Sequence, residues 1–167
     1  MDNFISTHES AIRLGAFFGV FALMALWELA APRRALTQPK VTRWFNNLAL
    51  VVLNTVVLRL VFPAAAVGVA ATAIEQQWGF FNLVQTPAWV AVLLSVIVLD
   101  GIIYLQHVMF HAVPVFWRLH RVHHADLDFD VTTGARFHPV EILLSMLIKF
   151  VAIILIGPPL VAVVIFE

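Results

Sequence analysis

Apolar residues arrive in long unbroken runs divided by short polar segments, a rhythm of helices that cross a hydrocarbon layer rather than of strands with two alternating faces. Residues 11–31 (AIRLGAFFGVFALMALWELAA) form a first run about 31 Å long at a rise of 1.5 Å per residue, enough to cross a bilayer core. The second run, residues 48–74, is longer than a straight span needs and contains Pro63, which predicts a kink or short break there. A third run covers residues 88–110. A fourth covers residues 142–156 and is closed by Gly157, Pro158 and Pro159, a sequence that ends or sharply turns a helix. Only LVAVVIFE follows, too short to cross a bilayer. The pattern predicts a chain that stops inside a helix which continues, a piece of a longer protein, with no internal repeat or linker.

The expected fold is therefore all-α: an integral membrane helical bundle of about four transmembrane or re-entrant helices, with residues 1–167 forming a single membrane domain. Composition agrees, since 62% of residues are hydrophobic and 12% charged, far from the average of soluble domains. Ten basic and ten acidic residues leave no net charge, so nothing favours a nucleic-acid partner. The opening MDNFISTHES has two acids and no basic segment, which favours a retained span over a cleaved leader. His8 reads as a solvated terminal residue.

Charge distribution sets the expected orientation. Arg33, Arg34, Lys40 and Arg43 follow the first run, and Arg118, Arg121 and Arg136 follow the third, whereas EQQWGFFNLVQTP between the second and third has neither Lys nor Arg. The positive-inside bias puts both basic loops in the cytoplasm and the N-terminus outside, in a bacterial inner membrane. Trp44 and Trp117 read as interfacial anchors, and Glu28 as the partner of Arg33 and Arg34.

Six of the seven histidines fall between positions 107 and 138. On the third helix Asp100, Tyr104, His107 and His111 stand at i, i+4, i+7 and i+11, one continuous face. Histidines four apart can reach one metal from consecutive turns, and Asp100 and Tyr104 are the candidate catalytic groups, placed to orient ligands or relay protons. Tyr104 reads equally as an interfacial anchor. Asp100 lies about 15 Å from the end of its helix, and a buried pair with Arg59 is expected.

In FWRLHRVHHAD, His120, His123 and His124 share one face of a short helix, brought back toward His111 by a turn at Val113 and Pro114. With no cysteine in the chain, a metal must be held by nitrogen and oxygen. Asp126, Asp128 and Asp130 read as a solvated acidic loop rather than as metal ligands. His138, just before a proline suited to a helix start, is either a further ligand or a neighbour of the site together with Glu141. Arg136 is expected to neutralise a carboxylate.

Taken together, DGIIYLQHVMFH, FWRLHRVHHAD and TTGARFHPVE resemble the fatty acid hydroxylase and sterol desaturase superfamily of membrane-bound di-metal oxygenases, particularly its bacterial sterol desaturase-like members. The resemblance covers nearly the whole chain. It implies two non-haem iron ions, with His107, His111, His120, His123 and His124 as ligands. The implied reaction uses O2 and two electrons to hydroxylate or desaturate a lipid, be it sterol, fatty acyl or related. A cytoplasmic electron donor, cytochrome b5-like or ferredoxin-like, is implied as partner. Family members carry a further histidine box, and no histidine follows His138. Five or six imidazoles suffice for one metal and undersupply two, so activity is expected of a longer parent, whose sequence beyond Glu167 should supply the missing box, rather than of these residues alone.

Two rival readings stand beside this one. A membrane electron carrier with a bis-histidine haem uses two histidines and leaves the HxxHH box idle. A non-catalytic metal-binding or transport module would step its ligands across the bilayer instead of gathering them at one helix end.

Overall fold

Helix forms wherever the apolar runs lie and breaks around Pro63 and at Gly157–Pro159. In a computed structural model that describes residues 2–167, with the side chains of residues 7, 8 and 10 onward, the order is α1 (Asp2–Ala30), α2 (Lys40–Val61), α3 (Ala66–Glu75), α4 (Phe80–Leu83), α5 (Ala88–Ala112), α6 (Pro114–His124), a 3-10 turn (Thr133–Ala135), α7 (Pro139–Ile156) and α8 (Leu160–Phe166). Four stretches are long and apolar enough to cross a membrane: Ser10–Ala30, Lys40–Leu83, Ala88–Ala112 and Pro139–Ile156. The break expected at Pro63 falls between the end of α2 at Val61 and the start of α3 at Ala66. The expected interruption after residue 156 is equally real, with Gly157 at φ +65° and α8 resuming only after the two prolines.

The chain packs as two compact units. The first comprises residues 1–13, 62–109 and 144–167. Its core gathers Ala66 and Ala70 of α3, Leu99 of α5, Ala152 and Ile153 of α7 and Val163 of α8. Small side chains on α3 bring α8 close, as in helix packing within membranes. Beside this core the backbone makes its tightest approach: a Cβ on Gly79, itself at φ +92°, would lie 2.3 Å from the Gly157 nitrogen, and one on Gly157 would lie 2.6 Å from the Trp78 oxygen. Only glycine satisfies both the positive φ and the absent side-chain volume. Asn82 Nδ2 donates to the Trp78 oxygen at 2.6 Å and to the Ala73 oxygen at 3.2 Å, closing the α3–α4 turn. Glu167 receives Arg13 at 2.6 Å and also Lys149, and Gln106 Nε2 donates to Ser145 Oγ at 2.6 Å.

The second unit, residues 14–61 and 110–143, is held differently. Among the described residues every polar residue buried as a whole belongs to it except Ser95, although the Glu167 side chain of the first unit is covered as well. Its organising group is Arg43, whose Nε donates to Asp126 at 2.7 Å and whose Nη1 donates to Asp130 at 2.9 Å. Asp128 accepts the Thr37 N–H at 2.9 Å, the Thr37 hydroxyl at 3.0 Å and the Gln38 N–H at 2.9 Å.

That network corrects three expectations. Asp126, Asp128 and Asp130 are not a solvated loop: Asp128 and Asp130 are buried, and all three clamp the loop onto the start of α2. Glu28 does not pair with Arg33 or Arg34 but accepts the Val131 N–H at 3.0 Å, fixing the same loop to α1. Among the described residues Arg136 forms no ion pair with a carboxylate; its Nη1 donates to Asn47 Oδ1 at 3.2 Å. Asp100 and Arg59, expected to be buried, are each exposed on their own helices. Trp44 does more than anchor, donating from Nε1 to Asp130 at 3.0 Å.

Candidate metal centre

The end of α5 and the whole of α6 carry the candidate ligands. Val113 adopts an extended conformation (φ −97°, ψ 118°), as a residue before proline must. Pro114 then opens α6 at its first position, where its missing N–H costs nothing. The reversal folds α6 back beside His111. His120 and His124, one turn apart on α6, meet it.

The three imidazoles form a nearly equilateral group. Ring centres lie 4.8 Å apart for His111 and His120, 4.9 Å for His111 and His124, and 4.9 Å for His120 and His124. His107, one turn earlier on the continuous α5, joins them in a set of four whose candidate ligand nitrogens lie within 4.8 Å of one another. His120 is buried, the other three exposed. The Nε2 atoms of His120 and His124 are 3.2 Å apart. Two nitrogens each about 2.1 Å from one metal would be that far apart at an angle near 100°, a normal separation for adjacent ligands. The nitrogen-only donor set suits iron, zinc, copper or nickel.

A carboxylate orients the buried ligand. His120 Nδ1 lies 2.6 Å from Glu141 Oε1, with both side chains buried. A proton held on Nδ1 leaves Nε2 with its lone pair toward His124, the arrangement by which carboxylates fix ligating imidazoles. Glu141 comes from the first turn of α7, which starts where it does because His138 caps it: the Val140 N–H donates to His138 Nδ1 at 3.1 Å. His138 stands outside the converging set.

His123 is outside that set of four, yet its ring lies 5.1 Å from His124 and 5.4 Å from His120. Its ring stacks on Phe137 at 4.7 Å and 3°, and its Nδ1 lies 3.2 Å from the Arg136 carbonyl. Burial pushes this imidazole below its ordinary value, outweighing the carbonyl, which favours the protonated form. Asp126, two residues past His124, would be raised by burial, yet hydrogen bonds from Arg43, Thr133 and Asn47 hold it down at about 2.

Among the remaining candidates, Asp100 and Tyr104 lie exposed on α5. Trp117, expected as an interfacial anchor, covers the histidines: its ring is 5.4 Å from His111 and 5.5 Å from His124. Its spacing on α6, three before His120 and seven before His124, was the signal for that role. Phe110 backs His120 at 5.9 Å.

Long apolar helices ending in gathered imidazoles define a helical membrane protein with a candidate histidine metal centre. Residues 92–167 match the fatty acid hydroxylase family model. The chain is also 25% identical, over 150 residues, to a protein named ornithine lipid hydroxylase OlsE from Rhizobium tropici, a match covering 86% of this chain and 45% of that relative. The chain thus spans less than half the length of the relative. No solved structure matches it. Residues 92–167, somewhat under half of the chain, are thus similar to the fatty acid hydroxylase family, in line with the resemblance that the motifs carry.

Proposed function

We propose that this chain is the histidine-bearing part of an O2-dependent membrane lipid hydroxylase. The observation that carries the reading is the convergence of His107, His111, His120 and His124 at one end of a helix apolar enough to span a bilayer, in a chain similar to a lipid hydroxylase. These four would hold non-haem iron, with His123 and His138 near enough in sequence to extend the set. When bound, the iron supplies the activation of O2 that attack on an unactivated C–H bond requires. Two irons need more donors than these, and the second is expected to draw on histidines outside this set.

The chain's own residues do the rest. Glu141 holds the His120 proton on Nδ1, Trp117 packs against His111 and His124, and Phe110 backs the buried His120. The apolar faces of the spans admit the lipid sideways from the bilayer and keep its chain out of water, the protein's share when a metal performs the hard chemistry. Asp100 and Tyr104 occupy the same face of α5 as His107 and His111 and would contact the incoming substrate or pass a proton. Electrons would come from a cytoplasmic carrier of the cytochrome b5 or ferredoxin kind. A haem would use two of these imidazoles and leave the others without a role.

The test is metal analysis and absorption spectroscopy of the purified chain loaded with ferrous iron, alongside His111→Ala, His120→Ala and His124→Ala. The reading expects bound iron without a Soret band, lost in each variant. A Soret band, or iron bound equally well by all three variants, overturns it.

A further inference from the structure

Within the second unit a cleft of about 520 Å3 opens where α1 ends, lined among others by Met24, Trp27, Arg33, Arg34, Lys40 and Phe129. Its two ends differ in chemistry. Met24 and Trp27 lie in the last turns of the candidate span Ser10–Ala30, at the depth of acyl chains, while Arg33 and Lys40 lie beyond its end, at the depth of headgroups. The two acids in the wall are already engaged: Glu28 accepts the Val131 N–H, and Asp130 accepts from Arg43, Trp44 and Thr132. Arg34 is partly engaged too, its Nη2 donating to the Leu127 oxygen at 2.9 Å. Lys40 leans over the Trp44 ring at 5.1 Å, with its ammonium protons left for an anion. The cleft is thus apolar on the bilayer side and cationic on the water side.

We propose that this cleft binds an anionic membrane lipid, its phosphate on Arg33 and Lys40 and the upper part of its acyl chains against Met24, Trp27 and Phe129. A lipid seated there would tie the α1–α2 loop, and through Asp128 and Glu28 the loop that follows the histidines, to the membrane surface. The proposal does not depend on the metal or on the reaction.

Native mass spectrometry of the detergent-solubilised chain with equimolar phosphatidylglycerol and phosphatidylcholine tests it. Phosphatidylglycerol should be retained preferentially, and R33Q/K40Q should lower that retention by roughly tenfold, whereas Arg33→Lys and the remote Arg118→Gln should retain it. Equal retention by R33Q/K40Q, or an equal loss in Arg118→Gln, overturns the site. Displacement of the lipid by inorganic phosphate at matched concentration would overturn its apolar half. A second readout needs no loss of charge: chain-brominated phosphatidylglycerol should quench Trp27 fluorescence, so that Trp27→Phe removes more quenching with this lipid than with brominated phosphatidylcholine. Equal removal with both overturns the proposal.

Discussion

At the scale of the residue, Glu141 decides which nitrogen His120 offers to its neighbours. Glu141→Gln keeps the shape but brings an amide that can donate to Nδ1 and so stabilise the wrong tautomer. Metal affinity is expected to fall about 10- to 100-fold, read by competition with a chelator in protein shown to be folded; an unchanged affinity would refute the positioning role. The acids of the following loop act on stability instead. Burial alone would raise Asp128 and Asp130, but the Thr37 and Gln38 N–H groups for the first, and Thr132, Trp44 and Arg43 for the second, hold both below the ordinary carboxylate value. A depressed folded-state value adds stability above the unfolded value of about 4 and loses it as pH falls through the folded one. Thermal unfolding in detergent should therefore move to lower temperature as pH drops below about 4, and Asp128→Asn should be less stable at neutral pH with a shallower acid limb. None of this was legible in the sequence. The partners of Asp126, Asp128 and Asp130 on α2 and the segment before it are 79 to 91 positions away, and three aspartates in a loop look solvated until those partners are known.

At the scale of the element, the spans were legible because burial in lipid demands helices with long apolar runs, and their ends were legible because proline and glycine leave few choices. The histidine spacings were legible for the same reason: i and i+4 share a face on any helix, and Val113–Pro114 forces the turn that joins α5 to α6. The approach of Gly79 to Gly157 was not, for nothing local to either residue announces the other. Its energetic weight can be measured. Gly79→Ala combines an unfavourable φ with a Cβ lodged 2.3 Å from backbone nitrogen, and the neighbour that must yield is main chain. A loss of about 3 kcal/mol or more is expected, with a matching loss for Gly157→Ala. Gly101→Ala is the contrast: that Cβ meets nothing within 4 Å, and alanine in helix α5 should be neutral or stabilising by up to about 1 kcal/mol. Unfolding in mild detergent, followed by protease resistance, separates the two cases, and equal effects at Gly79 and Gly101 would remove the clamp from the account.

At the scale of the whole molecule, the decisive property is how little of each span the protein itself covers: between 6% and 17% of the four apolar windows is buried. Side chains such as Leu23, Leu60, Trp89 and Leu155 stand well exposed, which in water would invite aggregation and in a bilayer is the normal outer surface. Orientation then rests on charge alone, with Arg33, Arg34, Lys40 and Arg43 in one loop and Arg118, Arg121 and Arg136 in another, against a segment after α3 that has no Lys or Arg. The chain lends itself to a direct test, because it contains no cysteine and each introduced thiol is the sole one. Gln76→Cys and Arg121→Cys flank a single candidate span, Ala88–Ala112, which at 1.5 Å per residue extends about 37 Å and exceeds the bilayer core. In intact cells an impermeant maleimide should modify the thiol at position 76 and leave that at position 121 untouched until the inner membrane is opened. The reverse pattern would turn the histidines outward, away from a cytoplasmic electron donor, and require the charge-based orientation to be abandoned. Modification of both thiols from one side would mean that α5 does not cross the membrane, and lateral entry of a lipid to the histidine cluster along that helix would fail with it.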